Sequence, residues 1–207
     1  MDYLTFALPK GRLAHKAMDI FKEINIHCDE INTKSRKLIF TNEENKHKFF
    51  LSKTSDVPTY VENGVADIGI VGRDTLLEEN RNIFEVCDLK LGQCKMIVAG
   101  FPNTDVNKMG SLKVATKYPN ITRKYFHNKG INVDIVKLNG SVELGPIVGL
   151  SHVIVDIVET GTTLKENGLI VLDEICDLSA RLVVNKVSMK RENQRIGNII
   201  KNLRRVL

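Results

Sequence analysis

Long hydrophobic runs are missing from this 207-residue chain, and their absence sets aside the first class of function. No stretch of 18 apolar residues occurs, so nothing reads as a transmembrane helix. The only early apolar run, Tyr3 to Leu8, is interrupted by Lys10 and Arg12 and does not make a secretory signal. Cysteine is sparse too. Cys28, Cys87, Cys94 and Cys176 lie far apart with no C-x-x-C spacing, which suggests neither a zinc site nor a disulfide framework. Low-complexity linkers and internal repeats are also lacking. The expectation is a cytoplasmic protein with no membrane partner. Its length fits one large domain or two small ones.

A basic excess is present, a net charge of +5 that crowds toward the end at Arg191, Arg195, Lys201, Arg204 and Arg205. The same segment carries Ile196, Ile199, Ile200, Leu203 and Leu207 at helical spacing, so one face is expected to pack and the other to meet water. No aromatic residues interleave with the basic ones and no nucleic-acid motif is recognisable. Nucleic acid is therefore not expected as a partner, and small polyanionic substrates account for the charge at least as well.

The most informative stretch is Val153 to Leu169. Its apolar, β-branched run Val153-Ile154-Val155 continues through Ile157 and Val158 and reads as a buried strand. The pattern breaks at Thr160-Gly161-Thr162-Thr163 and restarts as a short helix that Gly168 ends. A strand that opens through a Gly-and-hydroxyl loop into a helix offers unpaired N–H groups and rotatable hydroxyls to an anion. Asp156 and Glu159 would repel that anion unless they bind something else, such as a sugar diol or a magnesium ion held with it. The pattern suits a ribose phosphate. The loop alone is equally compatible with an ordinary strand-turn-helix whose threonines cap the helix.

Strands and helices alternate along the chain, which argues for an α/β protein with largely parallel sheets. Strand Tyr3–Leu8 runs into Pro9-Lys10-Gly11-Arg12 and a helix; strand Val65–Gly72 contains glycines that leave room for a backbone or a ligand. Ser55-Asp56-Val57-Pro58 reads as a capped helix start, and Asn139-Gly140-Ser141 as the cap of a short helix containing Glu143.

Taken together, seven blocks resemble the ATP phosphoribosyltransferase family. They are Leu8–Leu13, Ser35–Leu38, Asp56–Glu62, Ala66–Gly72, Ala115–Pro119, Leu138–Glu143 and Asp156–Leu164, in order over nearly the whole chain. The chain resembles the family's short form, since the long form continues into a regulatory domain. The resemblance implies the first step of histidine biosynthesis, a glycosyl transfer of phosphoribose from 5-phosphoribosyl 1-pyrophosphate to N1 of ATP adenine. It also implies Mg2+ and a regulatory subunit similar to histidyl-tRNA synthetase in a hetero-oligomer. The fold implied is two-lobed and periplasmic-binding-protein-like, with the active site in the inter-lobe cleft. Residues 1–90 and 177–207 would form the ATP and pyrophosphate lobe, and 91–176 the phosphoribosyl lobe.

By the same resemblance, Thr160, Gly161, Thr162 and Thr163 hold the 5′-phosphate, with Glu159 beside them, and Asp156 and Glu143 hold the ribose hydroxyls. Lys10, Arg12, Arg36 and Lys53 face the pyrophosphate and the ATP phosphates. Gly11 also belongs to the ATP site, and Asp74 sits near the adenine. Glu159 stands where a serine is common, His152 where an Asp is frequent, and Lys53-Thr54 where Arg-Pro or Lys-Pro is often seen. Two other readings share parts of this pattern. One is a two-lobed small-molecule binding protein without catalysis, which export would equip with a signal peptide. The other is a phosphoribosyltransferase acting on another base, which shares the loop but not the Lys10–Arg12 and Ala66–Gly72 blocks.

Overall fold

The computed structural model describes residues 2–32, 37–106 and 111–207. The chain forms two compact units, Met1–Gly92 with Ser179–Leu207, and Gln93–Leu178. The first five strands are β1 (Leu4–Pro9), β2 (Ile39–Asn42), β3 (His47–Ser52), β4 (Ile68–Gly72) and β5 (Phe84–Asp88). Then come β6 (Cys94–Gly100), β7 (Leu112–Thr116), β8 (Val133–Lys137), β9 (Val153–Val158), β10 (Ile170–Leu178) and β11 (Ala180–Val184). The helices are α1 (Arg12–Glu23), α2 (Val57–Glu62), α3 (Arg73–Glu79), α4 (Pro119–Asn128), α5 (Leu144–Ile147), α6 (Thr162–Glu166), α7 (Lys186–Arg191) and α8 (Asn193–Val206). Among the described residues, no helix is long and apolar enough to cross a membrane.

The first unit is built on a six-stranded sheet in the order β2-β3-β1-β4-β11-β5. β1 lies inside it, and Leu4, Phe6, Ala7 and Leu8 are all buried, as a strand covered on both faces requires. Phe6 meets Phe21 of α1 edge to face with centroids 5.6 Å apart, and stacks on Phe49 of β3 at 5.0 Å. On the opposite face, Val57 and Val61 of α2 press onto β4 at Gly69. A Cβ there would stand 2.6 Å from one Val61 methyl and 2.8 Å from a Val57 methyl. That glycine serves helix packing.

The second unit holds a five-stranded sheet in the order β10-β6-β9-β7-β8. Helix α4 covers one face with Ile121 and Phe126 against Val114, Val153 and Val155. The other face packs Ile97, Ala115 and Ile154 against Val142 and Leu164.

Both sheets are mixed rather than largely parallel. Of the nine strand pairings among the described residues, four are parallel: β1 with β3, β1 with β4, β7 with β8 and β7 with β9. These are the strands that helical or long crossovers connect, for which the alternation rule holds. β6 and β11 enter by short connections, and β11 inserts antiparallel between β4 and β5.

Three local expectations change as well. The α2 entry is a 3-10 turn, Thr54–Asp56, and Asp56 makes no side-chain cap bond. Ser141 takes a left-handed φ of 46°, so no helix starts at 139–141; α5 begins after Glu143, which sits at its N-cap position. The C-terminal helix is two helices, broken at Glu192. Asn185 caps the first, accepting from the Val187 and Ser188 N–H groups while its amide donates to the Val61 carbonyl at 2.7 Å. On α8, Ile196, Ile199, Ile200 and Leu203 are buried and Lys201, Arg204 and Arg205 exposed, which is the division its spacing implies.

Candidate active site

Parallel strands end side by side, and the loops leaving them gather at one sheet edge. In the first unit β3, β1 and β4 do this, with Pro9 opposite Ser52 and Ala7 opposite Gly69. The residues leaving that edge are Lys53 after β3, Lys10-Gly11-Arg12 after β1, and Arg73-Asp74 after β4. The Lys10 N–H donates to the Ser52 carbonyl at 2.9 Å, tying the first two exits together. Gly11 has φ 93° and ψ −154°, a conformation open to glycine, and this turns the chain from β1 straight into α1. Lys10, Arg12 and Lys53 are exposed there. Asp74 is half-buried in the first turn of α3, and its carboxylate folds back over Gly72 so closely that a Cβ on residue 72 would overlap it. Arg36 lies outside the described residues, as does part of the Ser35–Leu38 block.

In the second unit the parallel trio is β8, β7 and β9, with Thr116 opposite both Lys137 and Val155. The loop Glu159-Thr160-Gly161 leaves β9 and becomes α6. Gly161 has φ 75°, and the first helical bond runs from the Lys165 N–H to its carbonyl at 3.1 Å. The Thr160 and Thr162 hydroxyls lie 3.1 Å apart, and all three threonines are exposed. Leu164 is buried against the sheet and anchors the turn from below. With five residues α6 has a slight dipole, so attraction for an anion rests on loop N–H groups and hydroxyls.

The period of two along β9 places Asp156 with Ile154 and Val158, on the face that Val142 and Leu164 cover. Glu143 follows Val142 directly. Asp156, Glu143 and the Thr160–Thr163 loop thus share one face and one edge of the same sheet, and Asp156 and Glu143 are half-buried. Glu159 is exposed at the loop's start. This edge therefore sets N–H groups and hydroxyls that can meet an anion beside half-buried carboxylates that can accept from hydroxyls. Lys10, Gly11, Arg12, Lys53 and Asp74 belong to the other unit.

His152 has a structural task. Its Nδ1 accepts the Lys113 N–H at 2.9 Å, a bond an aspartate at that position could also make. Asp67, inside the Ala66–Gly72 block, is likewise structural. It is buried and accepts from the Thr5 N–H at 2.8 Å, from the Ser188 hydroxyl at 2.6 Å and from Arg191 at 3.2 Å. The sequence signal for it is an acid inside an otherwise apolar and glycine run, but its partners are far along the chain. Among the described residues, no group of three or more His, Cys, Asp or Glu side chains is arranged to hold a metal ion alone.

The model of the family HisG, ATP phosphoribosyltransferase, matches residues 53–205. An ATP phosphoribosyltransferase from Lachnoclostridium phytofermentans is 63% identical over 211 residues, covering 100% of this chain and 98% of that protein. Among solved structures, the ATP phosphoribosyl transferase (HisG:HisZ) complex from Thermotoga maritima is similar with a TM-score of 0.84 and 37% identity, covering 98% of both chains. The periplasmic aliphatic sulphonate binding protein SsuA from Escherichia coli shares the fold at a TM-score of 0.64 and 11% identity, over all of this chain and 72% of that one. Motif blocks, strand-edge geometry and full-length similarity agree, and the chain belongs to the ATP phosphoribosyltransferase family.

Proposed function

We propose that this chain transfers the phosphoribosyl group of 5-phosphoribosyl 1-pyrophosphate to N1 of the ATP adenine, giving phosphoribosyl-ATP and pyrophosphate, the first step of histidine biosynthesis. Full-length similarity to named ATP phosphoribosyltransferases carries the reading. The edge of β9 supports it locally. Thr160, Gly161, Thr162 and Thr163 take the 5′-phosphate, Asp156 and Glu143 accept from the ribose hydroxyls, and Glu159 lies at the loop's mouth. The ATP and pyrophosphate side is the first unit, with Lys10, Gly11, Arg12, Arg36 and Lys53 facing phosphates and Asp74 near the adenine.

Displacement at the anomeric carbon passes through a cationic ribosyl centre while negative charge grows on the departing pyrophosphate. Lysine and arginine ammonium and guanidinium groups already in place meet that charge without reorganising. Holding two large anions in line supplies much of the remaining acceleration. No protein nucleophile is required. Asp156, Glu143 and Glu159 are hard oxygen donors of the kind Mg2+ takes in ones and twos together with substrate phosphates. When bound, Mg2+ neutralises part of the diphosphate charge.

The solved relative is a HisG:HisZ complex, and this chain by that likeness works in a hetero-oligomer with a regulatory subunit resembling histidyl-tRNA synthetase. A biosynthetic enzyme acting on ATP belongs in the cytoplasm. The test mixes the chain with ATP, 5-phosphoribosyl 1-pyrophosphate and Mg2+, with and without the partner, and looks for phosphoribosyl-ATP. Binding of ligands without any such product would instead favour a receptor with the SsuA fold.

A further inference from the structure

One exposed cation, Lys117, stands at the same sheet edge as the phosphate loop, as the first residue after β7. Its strand runs parallel to β9 with Thr116 opposite Val155, so Lys117 and Asp156 follow at the same level on adjoining strands. The backbone on either side of it is fixed. Thr116 is fully buried; its hydroxyl donates to the Val155 carbonyl at 2.7 Å and accepts the Tyr118 N–H at 2.8 Å. Tyr118 is buried as well, and its carbonyl accepts the Thr122 hydroxyl at 2.7 Å. Of these three consecutive residues, only Lys117 faces water.

Its ammonium stands 5.9 Å from the Tyr118 ring centre and forms no ion pair among the described residues. Elsewhere on this unit Lys95 of β6 pairs with Glu174, Lys113 of β7 with Asp134, and Lys129 after α4 with Asp173. The edge around Lys117 carries Asp156, Glu159 and Glu143, three carboxylates that by themselves oppose any phosphate. A phosphorylated ligand gains from a cation there, and Lys117 is held by rigid backbone next to Asp156. Lys137 and Lys165 are exposed nearby, but neither follows a clamp of this kind: one ends β8, the other lies in the last turn of α6.

We propose that Lys117 is a further substrate-binding residue whose ammonium pairs with a phosphate of the phosphoribosyl donor beside Asp156. This rests on the reading of the β9 loop as the phosphoribosyl site. The two hydrogen bonds of Thr116 set the level at which the lysine leaves the sheet.

The experiment is calorimetric titration of the full chain and its Lys117→Ala, Lys117→Arg and Thr163→Ala variants, with 5-phosphoribosyl 1-pyrophosphate, ribose 5-phosphate, inorganic pyrophosphate and ATP. Loss of one charge-assisted contact should weaken donor binding by about tenfold or more in Lys117→Ala, with Lys117→Arg recovering most of it. ATP binding should stay within about twofold, and donor affinity should fall less steeply with added salt. A loss seen with ribose 5-phosphate assigns Lys117 to the 5′-phosphate; one seen only with pyrophosphate assigns it to the diphosphate. Unchanged donor affinity in Lys117→Ala, alongside weakened binding in Thr163→Ala, overturns the Lys117 assignment and leaves the loop standing. Unchanged affinity in both variants overturns the loop reading and this one with it. A loss confined to ATP also overturns the proposal.

Discussion

Asp67 lies within one of the motif blocks, and the structure gives it a purely mechanical task. The residue is 4% exposed, and it joins β1, through the Thr5 N–H, to α7, through Ser188 and Arg191. Asp67→Ala removes the acceptor from three donors of unequal importance. The Arg191 side chain is 60% exposed, so its guanidinium regains water and its loss counts for little. Ser188 is 4% exposed and the Thr5 N–H faces the same interior, so each is left short of a partner. A donor stranded in that way costs about 1–3 kcal/mol, so Asp67→Ala should lose about 3–5 kcal/mol. Asp67→Asn should lose less, about 1–2 kcal/mol, because its carbonyl can still face Thr5 while the Ser188 hydroxyl turns to accept. The measurement is urea unfolding of both variants, with kcat/KM taken on the folded fraction. The reasoning fails if Asp67→Ala costs under about 1 kcal/mol, or if Asp67→Asn is the worse of the two. A large kinetic defect in a fully stable Asp67→Asn would move this residue into the substrate site.

Three more outcomes are expected. Thr163→Ala removes a hydroxyl donor to a dianion and should raise the donor KM by about tenfold or more, an effect of about 1.5–3 kcal/mol, with the thermal midpoint retained. Asp156→Asn keeps shape but loses the charge that accepts from both ribose hydroxyls; kcat/KM should fall about tenfold or more, and a drop in stability alone would mark Asp156 as structural. Burial, reinforced by Arg195 and His27, pushes the His47 imidazole down to about 4 from 6.5. The unfolded chain then binds a proton between those values that the folded chain refuses. Stability is whole above about pH 6.5 and declines as pH falls toward about 4, by at most about 3 kcal/mol. Urea midpoints measured across that window should slope less in His47→Leu.

Local signals in this sequence translate well into local structure. The β-branched run at Val153–Val158, the glycine at 161 and the apolar spacing of α8 each depend on neighbours within a few residues, and each forms the element expected. Ser141 shows the limit of such signals. A serine before a helix reads as a cap, but Ser141 takes a left-handed backbone two residues ahead of the N-cap position, Glu143. Other features depend on distant partners. β11 inserts between β4 and β5 only because the chain returns to the first unit after Leu178, and no periodicity within Ala180–Val184 distinguishes that from an edge strand. The Asp67 bond to Ser188 spans 121 residues, so its acid could not be told from a catalytic one by its surroundings in sequence.

The geometry of strand ends explains why so much of the candidate site could be read at all. Lys10–Arg12, Lys53, Arg73-Asp74, Lys117 and Glu159–Thr163 all come directly after the last residue of a parallel strand. A buried parallel strand is a short apolar run, and the first polar residues after it emerge where backbone N–H groups lack sheet partners. Strand ends are therefore visible as the point where apolar residues stop, and chemistry collects at that point for the same physical reason. Asp156 is the exception that carries most weight, because it sits inside the strand. A carboxylate at a half-buried strand position costs desolvation, and its neighbours along that face of β9, Ile154 and Val158, are both apolar. Under the proposed reading the hydroxyls of a bound sugar would offset part of that cost, which is why Asp156→Asn is chosen to separate a binding role from a structural one.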